Sequence, residues 1–330
     1  MTSSANRRRV LRSTLIAGVA GLTFASGSAF AQDWPSRPVR VVIPFAPGGS
    51  ADVYGRFVAE RLQSALGQNF VVENKAGGGS VIGTDAVAKS APDGHTLLVM
   101  SNTHTVNETL LPKKPFKLMD DFVAVAPLTS SDLVLVARKD LPASTIGDIL
   151  KAAKAKPDGM TYASSGPGTP YHMAGELLKA MAGVSIVHVP YKGSAGARTD
   201  VLGGQVDMMF DAIPTMSAHV ASGKVKAVAV SGKVASPILP GVPTVDQAGV
   251  PGYTATIWLG VMAPKGTPQA VVDKLNTEIA KITRDAQVQS AWAKQGTDAV
   301  TMSVREFDTF LRGDIAKWAD VVKKAGIKVD

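Results

Sequence analysis

One construction constrains this chain more than any other: an apolar strand, a turn of glycine and serine, then a helix. It appears first where Val39–Phe45 reads as a buried strand, breaks at Pro47-Gly48-Gly49 and restarts at Ser50 as an amphipathic helix to about Leu66. Two glycines let that backbone approach a ligand with no Cβ in the way. Ser50 is expected to cap the helix, its hydroxyl taking an N–H that the first turn leaves unpaired. Free N–H groups and the positive end of the helix dipole together make an anion site.

The construction recurs three times. Phe70–Glu73 is followed by Ala76-Gly77-Gly78-Gly79-Ser80 and a helix. Thr161-Tyr162-Ala163 runs into Ser164-Ser165-Gly166-Pro167-Gly168-Thr169-Pro170, where Thr169 caps and Pro170 takes the first helical position, at which a missing N–H costs nothing. Ile186–Val189 leads to Pro190-Tyr191-Lys192-Gly193-Ser194, again with a capping serine, and to a helix ending near Gly203-Gly204. Any one of these turns is what an ordinary α/β protein uses to start a helix. Four of them at strand ends, where open α/β sheets bind ligands, point to one shared anionic ligand.

Strand and helix patterns alternate through the chain, which predicts an α/β fold with largely parallel sheets. Val39–Met100 forms one βαβαβ run, and Leu111–Lys117, with two prolines, is loop. Val123–Ala126 and Leu133–Ala137 read as two consecutive strands leading into a second unit. That unit alternates strand and helix from Thr161 to Val230, after a helix at Ile146–Ala155 opened by Ser144. Proline and glycine are dense from Pro237 to Pro251, Ile257–Ala263 is a further strand, and the tail is helical at Pro268–Thr283, Asp285–Lys294 and Val304–Lys324. A helical tail is best used packing back on the first unit. The expected division is therefore residues 32–130 with 256–330 against 131–255, with two chain crossings, near Leu128–Leu133 and Thr254–Trp258, and a hinged cleft.

At the start, Arg7, Arg8, Arg9 and Arg12, an apolar stretch from Leu15 to Phe24 and Ala29-Phe30-Ala31 have the layout of a secretory signal cleaved after Ala31. Its apolar core is shorter than the roughly 20 residues that span a bilayer. Asn6-Arg7-Arg8-Arg9-Val10-Leu11-Arg12 also suits twin-arginine export. Removing residues 1–31 takes away four arginines and no acids, lowering the net charge from +8 to +4. No basic cluster interleaved with aromatics remains, which argues against nucleic acid. The absence of cysteine excludes disulfides, thiolate catalysis and cysteine-ligated metal. No two histidines stand at metal-ligand spacing, so neither metal nor cofactor is expected.

Several polar residues near the turns have two readings. Asp52 complements the dipole and pairs with Arg56, or meets an amine-bearing ligand. His172 touches ligand or packs over the cap. His104 and Thr103, in Ser101-Asn102-Thr103-His104, stand where a cleft wall would be, whereas His188 is structural and His95 and His219 are surface residues. Lys192 faces the cleft or solvent, Tyr191 and Phe45 supply apolar walls, and Trp258 packs between domains. Asp211 orients bound water or caps the next helix. Enzyme signatures fail on spacing: Gly77-Gly78-Gly79-Ser80-Val81-Ile82-Gly83 is not a dinucleotide loop, and in Lys192-Gly193-Ser194-Ala195-Gly196 lysine occupies the first glycine of a nucleophile elbow.

The ordered set Val41-Val42-Ile43-Pro44-Phe45-Ala46-Pro47-Gly48-Gly49-Ser50-Ala51-Asp52, Val72–Gly79, Pro92–Leu98, Tyr162–Gly166, Val189–Gly193 and Gly203-Gly204-Gln205-Val206-Asp207 resembles the Bug proteins. These are extracytoplasmic solute receptors of tripartite tricarboxylate transporters. The resemblance runs from about Trp34 to the C-terminus and includes Pro243-Thr244 and Gly260–Pro264. It implies a two-domain, type II periplasmic-binding-protein fold, a Venus flytrap with its ligand in the interdomain cleft. It also implies a monomer that takes a small di- or tricarboxylate, acidic amino acid or aromatic acid and passes it to membrane permease subunits. Relatives hold the carboxylate through backbone amides, hydroxyls and bound water. Carried over, the site comprises Phe45, Ala46, Gly48, Gly49, Ser50 and Asp52; Gly78 and Gly79; Ser164, Ser165, Gly166, Gly168, Thr169 and His172; Tyr191, Lys192 and Gly193; and Asp211. Relatives carry Ser where Thr169 stands and Pro near Gly196. A receptor of the same fold serving a sensor kinase is the alternative, and an exported α/β enzyme is a third.

Overall fold

The computed structural model describes residues 34–328, so the expected signal segment and its cleavage point lie outside the described residues. The first half of the sheet is a parallel trio in the order β2-β1-β3, formed by Phe70–Asn74, Val39–Ile43 and Thr96–Ser101. Its strands are valine- and leucine-rich, as a sheet covered on both faces requires. Helices α1 (Ser50–Leu66) and α2 (Val81–Ala88) make the crossovers. Gly67, left-handed, ends α1 and donates to the Gln63 carbonyl.

Two elements not legible beforehand follow, α3 (Asn102–Leu110) and the short α4 (Leu118–Asp121). The expected pair of strands after them is one strand, β4 (Phe122–Arg138), which carries bulges opposite β9 and passes from one half of the sheet into the other. The register against β9 shifts between Ala124 and Ala126 and between Pro127 and Thr129, so the strand runs on through both bulges. The second half comprises α5 (Ile146–Ala155), β5 (Thr161–Ser164), α6 (Pro170–Ala182), β6 (Val187–Pro190), α7 (Ser194–Leu202), β7 (Met208–Ala212), α8 (Ile213–Ala221) and β8 (Val225–Val230). β5 lies parallel between β6 and β7, and β7 and β8 run antiparallel to the far end of β4. The opener of α5 is Thr145 rather than Ser144, in a capping box with Asp148.

The chain returns through β9 (Thr256–Pro264), antiparallel to both β3 and β4, and finishes with α9 (Gln269–Arg284), α10 (Ala286–Ala293), β10 (Thr297–Ala299) and α11 (Val304–Lys324). The resulting strand order is β2-β1-β3-β9-β4-β7-β5-β6. Where the chain crosses twice, Ser231 joins the segments: its N–H donates to the Leu133 carbonyl (2.8 Å), while its hydroxyl accepts from the Leu133 N–H (2.8 Å) and donates to the Ala255 carbonyl (2.5 Å). Trp258 does not sit between the halves. It packs with Phe307 and Phe310 of α11 in a core formed entirely by first-half residues, because β9 turns that face toward the tail. His95 is buried beside Trp34 rather than exposed.

Candidate functional site

Strands β1, β2 and β3 are parallel, so the turns that follow them emerge at one edge; β5 and β6 deliver theirs in the same way. The turns after β1, β3, β5 and β6 meet around a cavity of about 30 Å³. Phe45, Ala46, Gly49, Ser50, Ser101 and Thr103 line it from the first half, and Ser165, Pro170, Tyr171, Gly193 and Ser194 from the second. Ile257 and Leu259 of β9 complete the lining, and among the described residues no charged side chain takes part. The two halves touch here: the Ala46 N–H donates to the Lys192 carbonyl at 3.4 Å, and a Cβ on Gly193 would stand 2.7 Å from that of Ala46. Only glycine permits so close an approach.

Two of the three expected caps are corrected. The N-cap of α1 is Gly49 and that of α7 is Gly193, so Ser50 and Ser194 are the first helical residues rather than caps. Ser80 does occupy the N-cap of α2, but its side chain makes no capping bond. From the first helical position a hydroxyl does not face its own first-turn amides, and those of Ser50 and Ser194 turn into the cavity instead. Both residues are buried (4% and 2% exposed) and among the described residues neither hydroxyl has a well-formed hydrogen bond, although both lie beside the Tyr171 phenol. Burial, and the charge of Asp211, push the Tyr171 pKa up, which keeps the phenol a neutral donor. A buried hydroxyl without a partner is uncommon enough to require an explanation. Thr103 adds a further donor: its oxygen accepts from Ser101 Oγ at 2.9 Å, leaving its own proton free.

Thr169 behaves differently. It is a true cap, accepting from the His172 N–H (3.4 Å) and donating to the Gly166 carbonyl (2.7 Å), with Pro170 at the first helical position. Ser164 is likewise engaged, with Gly166 and with His188 Nε2 at 2.6 Å. His172 packs over the cap and accepts the Gly168 N–H at 3.2 Å. Burial lowers the His172 pKa to about 4, so the ring is neutral. None of these three residues lines the cavity. Gly168 abuts Asn107 of α3, bringing the third turn against the first half.

Asp52 also lies off the cavity. Its carboxylate accepts from the Gly48 N–H (3.0 Å), Asn74 Nδ2 (2.8 Å) and Arg56 Nε (2.8 Å), so it shapes the first turn, in which Gly48 has a φ of 83°. Asp211 is fully buried against Arg198 (2.8 Å) and accepts the Ala212 N–H; burial raises its pKa despite the guanidinium. It neutralises the half-buried Arg198 and does not line the cavity. His104 belongs to the capping box of α3 with Ser101, its Nε2 3.0 Å from Thr84 Oγ1, rather than to a cleft wall. Beyond Phe45 and Ser165 opens a wider groove lined by Gly78, Gly79, Gly166, Tyr191 and Lys192. The Tyr191 hydroxyl donates to Asp200, and burial with that bond pushes its pKa up to about 12.

Sequence reasoning missed Tyr171, Ile257 and Leu259 altogether, and assigned Ser194 only a cap. Tyr171 stands two places after a cap in an anion-type turn, which is a usable signal. The β9 pair has no local signal, because antiparallel register with β3, which sets Leu259 opposite Ser101, brings it in.

A family profile described as the tripartite tricarboxylate transporter family receptor matches residues 54–327. BugT of Bordetella pertussis is 38% identical over 301 residues, 91% of this chain and 92% of that protein. The solved structure of Rpa4515 from R. palustris with adipate superposes with a TM-score of 0.86 at 33% identity, covering 90% of this chain and 99% of that one. MatC from Rhodopseudomonas palustris with bound malate gives 0.83 at 32%, covering 87% and 99%. The strand order, the cavity between the two halves and these likenesses agree: this chain belongs to the receptor family of the tripartite tricarboxylate transporters.

Proposed function

We propose that this chain is a periplasmic solute receptor that closes two lobes over a small carboxylate and hands it to membrane permease subunits, acting as a monomer without metal or cofactor. The lobes are residues 32–130 with 256–330, and 131–255, hinged where Ser231 joins the crossing strands. One observation carries the reading: Ser50 and Ser194, the first residues of helices in opposite halves, leave buried and unpartnered hydroxyls on one small cavity. The relatives solved with adipate and malate support a carboxylate as the occupant.

Neutral donors suit this task. A carboxylate is held by dipoles whose desolvation costs far less than burying a fixed charge. The grip requires both halves at once, so the ligand binds the closed form better than the open form, and that difference drives closure. Ser50, Ser194, Gly49, Gly193, Thr103, Ser165 and Tyr171 are the contacts this reading assigns; Asp52, Ser164, Thr169, His172 and Asp211 hold the turns in shape. Calorimetry on the mature chain with malate, adipate, citrate, glutamate and benzoate tests it. At least one acid binds and is recovered unchanged. Turnover of the bound acid, or no binding by any of them, contradicts the reading.

A further inference from the structure

Met173 of α6 is fully buried, yet every other buried member of its apolar cluster lies in the first half: Val106 and Leu110 of α3, Trp318 and Val322 of α11, and Ile327 just beyond. None of these residues lines the cavity or the wider groove beyond Phe45. None belongs to β4, β8 or β9, the strands at the two crossings. The hinge therefore does not carry this contact, and parting the halves draws Met173 out of it.

The first-half side of the contact is a fixed seat. Val106 and Leu110, the two apolar residues of α3, stand four apart and so share a face, and both belong to the cluster. Thr105 Oγ1 donates to Asp314 Oδ2 at 2.6 Å, tying α3 to α11. Asn107 Nδ2 donates to the Gly79 carbonyl at 2.8 Å, holding α3 against the second turn. Asn107 Oδ1 is buried with no partner among the described residues and abuts Gly168, where a Cβ would collide with it. Gly168 has a φ of 72°, a region that favours glycine, so the turn before α6 can come flush against α3. Met173, whose N–H donates to the Thr169 carbonyl at 2.9 Å one helical turn back, is carried in with it.

We infer that Met173 and its seat on α3 and α11 form a clasp between the halves, which stabilises the closed form and sets ligand affinity without touching the ligand. The inference rests on the reading of two lobes closing over a carboxylate. Opening returns the Met173 and Leu110 side chains to water, so their apolar burial is gained only on closure. Apparent affinity is the intrinsic affinity scaled by the fraction of molecules able to bind, and a contact made only in the closed form raises that fraction. The serines of the cavity discriminate among ligands by chemistry. The clasp acts on every ligand by the same factor.

The test is calorimetry and stopped-flow dissociation with the acids of the panel above that bind the wild-type chain, on Met173→Ala, Leu110→Ala, the double variant and Met173→Leu. Met173→Ala weakens every such acid by one common factor of about tenfold, and the loss lies in the dissociation rate. Leu110→Ala breaks the same contact from the first half with a similar loss, and decides the matter should Met173→Ala not fold. The double variant loses less than the product of the two single losses, because either change alone already opens the clasp. Met173→Leu, which keeps the volume, stays within about threefold of wild type. Alanine variants that lose stability but keep wild-type affinity overturn the clasp and leave Met173 as core alone. Losses that differ from acid to acid, or that multiply in the double variant, overturn it as well. A wild-type chain that binds no acid removes the carboxylate reading itself, a result distinct from unchanged variants of a chain that binds.

Discussion

Ser50 and Thr169 stand in turns written in nearly the same letters and do different work. Thr169 uses its oxygen as both acceptor and donor within its own loop, so the chain itself consumes its bonding capacity. Ser50, one position further into its helix, consumes none. The same division runs through the whole site. Asp52, Ser164, His172 and Asp211 are saturated by neighbours, whereas Ser50, Ser80 and Ser194 are buried with no partner among the described residues. Saturated groups should report on stability when changed, and unsaturated ones on affinity.

The largest effect is expected from Asp211→Ala, which leaves the Arg198 guanidinium buried without its counter-ion. Breaking such a pair from one side costs about 3–5 kcal/mol, measurable by urea unfolding. A loss under about 1 kcal/mol would move Asp211 out of the saturated class.

Acid should cost nearly as much. Burial lowers the pKa values of His104 and His172 to about 4, against 6.5 in the unfolded chain. Between those values the unfolded chain binds protons that the folded chain refuses. Stability is therefore complete above about pH 6.5 and is lost as pH falls toward 4, by on the order of 3 kcal/mol for each ring. Unfolding free energies measured at half-unit steps from pH 7 to pH 4.5 should show this slope, and His172→Gln should remove part of it. A flat profile would mean that the rings are not held neutral.

Smaller, and opposite in kind, are the serine variants. Ser50→Ala and Ser194→Ala each weaken carboxylate binding by about tenfold or more, the value of a hydrogen bond to a charged group, while melting temperature stays level or rises. Thr169→Ala gives the converse: about 1 kcal/mol of stability lost with the cap and an affinity change of less than about threefold. If Thr169→Ala weakens binding as much as Ser50→Ala does, the distinction between the two turns collapses.

Most of the fold could be read in advance because its signals are local. Strands of Val, Ile and Leu ending in glycine turns, with amphipathic stretches between them, gave the alternation, and α5, β8 and α11 fall on the expected residues. Elements with weak local signals were missed. Helix α3, Asn-Thr-His-Thr-Val-Asn-Glu-Thr-Leu, is polar and β-branched, and forms because Ser101 and His104 cap it and α11 packs on it. The three-residue β10 exists only through its pairing with β4. The site was legible to the level of its turns and no finer. Whether a serine caps or faces the cavity depends on one residue of helix phase, and Tyr171, Ile257 and Leu259 arrive through tertiary register.

A crystal structure of the mature chain with a bound dicarboxylate tests the central claim most directly. The account predicts one carboxylate within about 2.7–3.0 Å of both Ser50 Oγ and Ser194 Oγ, with the two halves closed on it. A carboxylate seated elsewhere, or held by one half alone with either serine still unpartnered, would contradict it.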